Sequence, residues 1–569
     1  SFLFIASATI TSGVLLSGSS YSVPASESAG EEIQDNENLT NDNNATSNAT
    51  EPTNDDSWAN HYADSFARGT GYETDPYQIE TAEQLSLLAV NVNSGTNYYG
   101  VYFEQTADID LSAYWWDAIG TYTRSSDYNE FAGHFNGGGH TVSGVFTQAG
   151  STSTYNNQGL FGYVRGASST DRAEISNVGV IDSNIQGYQF VGGIVGYTYY
   201  TNITNCYNAG SVTGIPYVGG VVGSNNYSST VSNSYNAGTV TGSSQYVGGV
   251  VGYNAASSTV SNSYNTGDVT STYNGMYGYV GGVVGRNYSS STVENSYNTG
   301  SVTGNSDYVG GVVGYNSSTV SNSYNTGSVT GSSSVGGVVG YNSSTVTNSY
   351  NTGSVTGSGA VGGVVGYNNS SSTVSNSYNT GSVTGSNQYV GGVVGQNSSS
   401  TVSNSYNTGD VTSTYSGTYA YTGGVVGYNS SSTVSNSYNT GEVTGSGLYI
   451  GGVAGYNDSS TVSNSYNTGL VTSSSSIVGG VVGDNTNSSI VTNSYNTGTV
   501  TGSSNYVGGV VGRNSSSTVS YCYYGGNCAS SVGGIEGADV DGQAEYWDTI
   551  ATDAKTESWY GSSSTVTWN

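Results

Sequence analysis

Side chains able to do proton, metal or nucleophile chemistry are scarce in this chain, and their spacing limits what they can do. Three histidines occur, His61, His134 and His140. His134 and His140 flank the turn Gly137-Gly138-Gly139. Two imidazoles across a hairpin could share a metal, but no local spacing supplies a third ligand, so they read as turn-flanking residues. Asp108 and Asp110 stand two apart and face one way on a strand, the start of a carboxylate pair for glycoside hydrolysis, yet no further partner can be named. Between residues 186 and 525 the acids Asp268, Glu294, Asp307, Asp410, Glu442, Asp458 and Asp484 stand singly. His-Glu-x-x-His, Gly-x-Ser-x-Gly, a P-loop and the calcium-binding Gly-Gly-x-Gly-x-Asp nonapeptide are all absent from the sequence. The expectation is a chain with no catalytic residues, no metal and no cofactor, and hence not an enzyme.

Three other residue types recur in patterns. Asn-x-Ser/Thr acceptors stand at Asn38, Asn44, Asn48, Asn202, Asn226, Asn287, Asn316, Asn342, Asn368, Asn369, Asn397, Asn429, Asn457, Asn487 and Asn514. From Asn226 onward nearly all fall at one corner of the repeat described below, which predicts a ridge of glycans; a Ser- and Asn-rich turn also generates such triplets by chance. Tyr235, Tyr264, Tyr297, Tyr324, Tyr350, Tyr378, Tyr406, Tyr438, Tyr466 and Tyr495 share one repeat position and can stack as a ladder. Asn233, Asn262 and Asn322, two residues earlier in their repeats, can form an amide ladder beside it. A ladder of identical side chains is first a structural device; the alternative is an aromatic ridge that binds sugar rings. Of three cysteines, Cys206 replaces a serine found in nearly every other repeat and reads as a buried small residue, while Cys522 and Cys528 are close enough for a small disulfide loop.

What positions these residues is a repeat. The pair opening Val-Gly-Gly-Val-Val-Gly begins at Gly192, Gly219, Gly248, Gly281, Gly310, Gly336, Gly362, Gly391, Gly423, Gly451, Gly479 and Gly508, at spacings of 26 to 33 residues. Such self-similarity signals a solenoid. The valine after Asn-Thr-Gly-x is invariant (Val240, Val302, Val355, Val411) and the residue before it varies, so the valine faces inward. The first aliphatic after the glycines (Ile194, Val221, Val250, and Ile535 in the last copy) reads as buried, and the next position, which accepts Ala454 and Glu536, as more exposed. Insertions such as that around residues 272–279 mark turns. Three strands and three corners per repeat predict a right-handed parallel β-helix, about one coil per repeat. Stacking twelve coils at ~4.8 Å gives a rod of roughly 55–60 Å.

Outside the array, residues 1–16 are apolar and uncharged and read as the core of a secretory signal or as a retained donor strand; they are short for a membrane span, and no later stretch is apolar enough for one. Residues 24–56 hold nine acids and no base, the composition of a disordered linker. Residues 81–92 carry an N-cap threonine, an early Glu83 and apolar residues at helical spacing, the one convincing helix. The expected domains are 1–23, a signal or donor segment; 24–67, the acidic linker; 68–185, an N-terminal β-helix module; 186–525, the repeat array; and 526–569, a C-terminal cap. A net charge of −30 with seven Lys and Arg argues against nucleic acid and anionic membrane as partners.

The Val-Gly-Gly-Val-Val-Gly strand followed by Asn-Ser/Cys-Tyr-Asn-x-Gly-x-Val resembles the GLUG-motif repeats of large secreted and surface proteins. The segments GTGYETDPYQIETAEQLSLLA, DIDLS and FAGHFNGGGHTV resemble the β-helix module that commonly precedes them. The resemblance covers about residues 68–524 and implies surface display and adhesion, with occasional attachment to peptidases and no shared catalytic motif. The expected function is a glycosylated, non-enzymatic extracellular rod, serving as filament subunit or surface-layer component, with a carbohydrate- or protein-binding adhesin as the alternative and a polysaccharide-degrading enzyme behind both. Self-association through the N-terminal segment or the open β-helix ends is expected, and glycans are possible partners.

Overall fold

The computed structural model describes residues 50–525 except 54, 125–126, 149–155, 475–476 and 504–505, and beyond them the strands Val532–Glu536 and Ala544–Tyr546. It is an all-β solenoid with one coil per repeat. Five parallel sheets run along it, with 16, 16, 12, 12 and 14 strands. One coil consists of Tyr308–Gly310, Val313–Asn316, Thr319–Ser321, Tyr324–Asn325 and Val329–Thr330. The next coil lies on it in register, Val309 opposite Val335 and Tyr324 opposite Tyr350.

Five strands per coil correct the expected three, because two of the anticipated strands bend. Val312 and Val313 are both fully buried and both donate to the Val338 carbonyl, so the chain turns between them. Period-two alternation does not carry through such a bend, and the position after the first aliphatic is therefore buried rather than exposed, Ala454 included. The second bend is at Asn322, whose φ of 49° is the left-handed conformation that asparagine tolerates. The last copy is also out of the expected register: Val532 pairs with Val511, and Ile535 pairs with Asn514 instead of following the buried aliphatic column.

The N-terminal module shares the solenoid's walls. Tyr77–Ile79, Tyr102–Gln105, His134–Asn136 and Ala173–Ser176 lead in order into Thr201–Thr204 of the array. Phe103, Phe131, Phe135 and Phe161 fill the first coils, and valines take over further along one continuous core. The expected helix is Ala82–Asn93, capped by Thr81, whose Oγ1 accepts from the Gln84 amide at 3.4 Å. It turns Leu85, Leu88 and Val92 into the same core.

One core position breaks the valine pattern. Thr422 lies in register between Val390 and Ile450, fully buried, and its Oγ1 has no hydrogen-bond partner. Beyond it Val443, Ile450, Val471, Val478 and Val500 form a cluster of their own. Thr422→Val removes the unsatisfied hydroxyl while keeping the shape, and is expected to stabilise the neighbouring coils by about 1–2 kcal/mol. Slower hydrogen exchange across residues 411–450 is the readout; equal or faster exchange would contradict it.

Candidate functional site

The three histidines and the carboxylates near them are dispersed along the N-terminal coils. His61 bonds Asp56 at 2.8 Å and stacks on Tyr114, with ring centroids 3.8 Å apart. His134 stacks on Tyr102 at 4.3 Å, and His140 lies 3.3 Å from Asp108. Asp108 accepts from the Thr141 amide at 2.8 Å, and this bond, helped by His140, holds its carboxyl below the usual range. Asp110 accepts from the Ser112 amide. Both carboxylates thus fasten turns. Among the described residues no group of three or more His, Cys, Asp or Glu could hold a metal ion.

The expected tyrosine ladder is present and begins a coil earlier than anticipated. From Tyr207 through Tyr235 and Tyr350 to Tyr495, successive rings stand 4.8–4.9 Å apart and within 4° of parallel. Each ring covers its neighbours' faces, so this ridge offers edges rather than faces to a sugar. Partial burial, followed by the neighbouring phenols, pushes Tyr350 and Tyr495 up to about 12. A tyrosine whose folded pKa lies above its ordinary value of 10.0 holds its proton longer in the folded state. The ladder's contribution is therefore complete below pH 10 and is lost as the pH rises through about 12. Phenolate absorbance and loss of β-sheet circular dichroism should rise together in that window. Ladder tyrosines ionising at pH 10 in a still-folded rod would refute this.

Asparagines form two buried ladders that the sequence reading did not place. In one, Asn325 donates to Asn351 and Asn351 to Asn379, each at 2.8 Å, continuing from Asn208 to Asn496. In the other, Asn316 donates to Asn342 and Asn342 to Asn368 at 2.8 Å, within a run from Asn225 to Asn514. The asparagines expected to carry the amide ladder, Asn233, Asn262 and Asn322, sit instead at the left-handed bend, and only scattered bonds such as Asn348 to Asn322 link that column.

The second ladder corrects the glycan ridge. Asn287, Asn316, Asn342, Asn368, Asn397, Asn429, Asn457 and Asn514 are fully buried, and Asn226 nearly so. Their Nδ2 atoms, where a glycan would be attached, are already donating inside the rod, as from Asn429 to Asn457 and from Asn226 to Ser224 Oγ. Asn202, Asn369 and Asn487 keep surface access. Asn38, Asn44 and Asn48 lie outside the described residues.

Cys206 and Cys522 occupy opposite ends of a buried serine column, the Cys206 amide donating to Ser234 Oγ as Ser234 does to Ser263. Burial pushes both thiols up to about 12, which leaves them unreactive. Cys528 lies outside the described residues, so the expected Cys522–Cys528 loop does as well.

Two further tyrosine ridges face each other across an angle between sheets. One runs Tyr217, Tyr246, Tyr279, Tyr308 and resumes at Tyr389, Tyr421, Tyr449; the other holds Tyr253, Tyr315, Tyr341, Tyr367, Tyr428 and Tyr456. Rings of one coil contact across the angle, Tyr246 with Tyr253 at 5.2 Å and Tyr449 with Tyr456 at 5.0 Å. Arg286 replaces one ring, and its guanidinium lies 4.3 to 5.9 Å from five tyrosine centroids. Where Ser334 and Ala360 interrupt the first ridge, a cavity of about 480 Å³ opens, lined by Tyr308, Tyr341, Tyr367, Tyr389, Gln388 and Gln396 among others. The signal was present in the sequence as the recurring Tyr of Tyr-Val-Gly-Gly and of Gly-Tyr-Asn, and its failure at two consecutive repeats marked the gap.

Stacked near-identical coils, internal amide ladders and outer tyrosine ladders define the class: a repeat-built β-solenoid. Seven of its coils are similar to GLUG repeats. The family model described as the GLUG motif matches residues 187–213, 243–270, 276–303, 305–330, 331–356, 386–412 and 418–444. The chain is 31% identical over 170 residues to halomucin of Haloquadratum walsbyi, covering 29% of this chain and 2% of that protein. It is 37% identical over 107 residues to a protein of Evansella cellulosilytica provisionally named a Gly-rich membrane protein, covering 17% of this chain and 11% of the relative. The chain thus spans only small fractions of both curated relatives. A solved structure from Bacteroides ovatus, provisionally titled an immunoglobulin A1 protease, is 22% identical, with 50% of this chain and 78% of that one covered at a TM-score of 0.34, a likeness too loose to carry an argument.

Proposed function

We infer that this chain is a non-enzymatic structural rod at the cell surface, a filament subunit or surface-layer component. The observation that carries this reading is the uninterrupted Tyr207-to-Tyr495 ladder, which presents the same face at every coil. The names of the two relatives, halomucin and a Gly-rich membrane protein, support a surface setting. Among the described residues no helix is long and apolar enough to cross a membrane. Glycans, where attached, belong on Asn202, Asn369, Asn487 and the acidic segment bearing Asn38, Asn44 and Asn48. Chains join through the strand edges at the solenoid's ends or through residues 1–16, because an unpaired edge recruits another strand. Electron microscopy of native material with antibody labelling of intact cells tests this: end-to-end rods outside the cell are expected, and dispersed intracellular monomers would refute it. An adhesin is the second reading, favoured by the gap in the tyrosine ridge.

A further inference from the structure

We propose that the notch at Ser334 and Ala360 is a binding site for a neutral oligosaccharide. The two residues stand in register between Tyr308 and Tyr389, at a position where the coils before and after carry a ring. They also belong to the two closest-spaced repeats, Gly310 to Gly336 and Gly336 to Gly362, 26 residues each, so their own turns do not extend over the missing rings; Met276 and Tyr277 of an earlier coil's inserted loop line one side of the cavity. Three strand steps separate Tyr308 from Tyr389, about 14 Å, enough for a short oligosaccharide.

The floor of the notch differs from the rest of the ridge. Tyr341 and Tyr367 lack the covering ring that Tyr253 and Tyr456 have on their own coils, since their counterparts there are Ser334 and Ala360. Tyr341 still lies parallel to Tyr315, 5.1 Å away, but stands at 81° to Tyr367. Tyr341 is stacked on Tyr315 and met edge-on by Tyr308 of the preceding coil at 5.1 Å, so the aromatic lining of the notch centres on the edge-on step between Tyr341 and Tyr367. The rim adds polar groups: Gln388 and Gln396 amides, Asn387, and Asp307, whose carboxylate accepts from the Tyr277 amide at 2.6 Å and ties an inserted loop to the edge.

Flat aromatic faces match the apolar C–H faces of a sugar ring, and side-chain amides and a carboxylate match its hydroxyls. A few placed polar groups among aromatic walls is the usual composition of a ligand cleft. No Lys or Arg lines the cavity, Asp307 does, and the chain carries a net charge of −30, so a neutral sugar is favoured over a uronic-acid chain. This site goes beyond the structural role proposed above and does not depend on it; it rests on the adhesin reading and gives that reading a ligand class.

The full chain titrated calorimetrically with cellohexaose, mannohexaose, xylohexaose and chitohexaose, with hexagalacturonate as the charged comparison, tests the proposal. At least one neutral sugar should bind with one site per chain, and hexagalacturonate should not. Ser334→Tyr/Ala360→Tyr restores the rings present in neighbouring coils and should weaken binding about tenfold or more, with an unchanged or raised melting temperature. Gln396→Tyr, a residue already found at that position in adjacent coils, provides an independent variant and should also weaken binding. Failure of all four neutral sugars, tighter binding of hexagalacturonate, or unchanged affinity in the filled notch or in Gln396→Tyr would overturn the site.

Discussion

Gly337→Ala is expected to cut the rod in two. A Cβ at that position would lie 2.1 Å from the Gly363 carbonyl oxygen and 2.3 Å from Asn351 Cγ, both fixed parts of the coil stack. The preceding glycine is equally confined, since a Cβ on Gly336 would meet the Val339 carbonyl oxygen at 2.0 Å. The Gly-Gly pair that repeats through the sequence is thus a packing requirement: one glycine clears its own strand bend, the other clears the next coil and the buried asparagine ladder. Neither backbone nor ladder can give way cheaply, and the cost should be about 3 kcal/mol. A solenoid is held coil to coil, so the lesion stays local and divides the array. Hydrogen exchange should accelerate in the coils around residues 310–379 and remain slow in coils distant on either side. The exposed Ser354→Ala, in the same coil, should change nothing beyond about 0.5 kcal/mol. Undisturbed protection in Gly337→Ala would show that the stack can open at that point.

Asn351→Ala is expected to cost nearly as much by a different route. The Asn351 amide donates to the Gly353 carbonyl at 2.7 Å and to Asn379 Oδ1 at 2.8 Å, and its oxygen accepts from Asn325 at 2.8 Å. Truncation leaves a donor and an acceptor stranded at zero exposure on the neighbouring coils, each worth about 1–3 kcal/mol. A total near 3 kcal/mol should appear as lowered protection in the coils on both sides of residue 351. Thr352→Ala, exposed and adjacent, is the matched control. Equal protection in the two variants would mean that the amide ladder contributes no more than a surface residue.

Much of the fold was legible because repetition does the averaging that a single sequence otherwise lacks. Val240, Val302 and Val355 never vary while their neighbours do, and all three are fully buried. The Tyr235 column was legible for a related reason: a parallel stack in register places like on like, and ring spacing follows strand spacing. Thr81 and Glu83 announced the helix through local capping chemistry alone.

The chain's sequence by itself therefore determined the solenoid, one coil per repeat, the tyrosine ladder and the helix, all of which depend on local pattern and period. Tertiary structure decided which polar residues go inside. Asn342 reads as a glycan acceptor in a Ser-rich turn, yet it is fully buried, because stacking brings Asn316 and Asn368 within 2.8 Å of its amide. In one isolated coil that amide would keep only its bonds to Ser344 in its own turn, and the neighbouring copies supply the further partners that full burial requires. The same holds for the notch. Ser334 and Ala360 look like ordinary turn variation until the coils are stacked and the absence of two rings leaves Tyr341 and Tyr367 lining an open cavity.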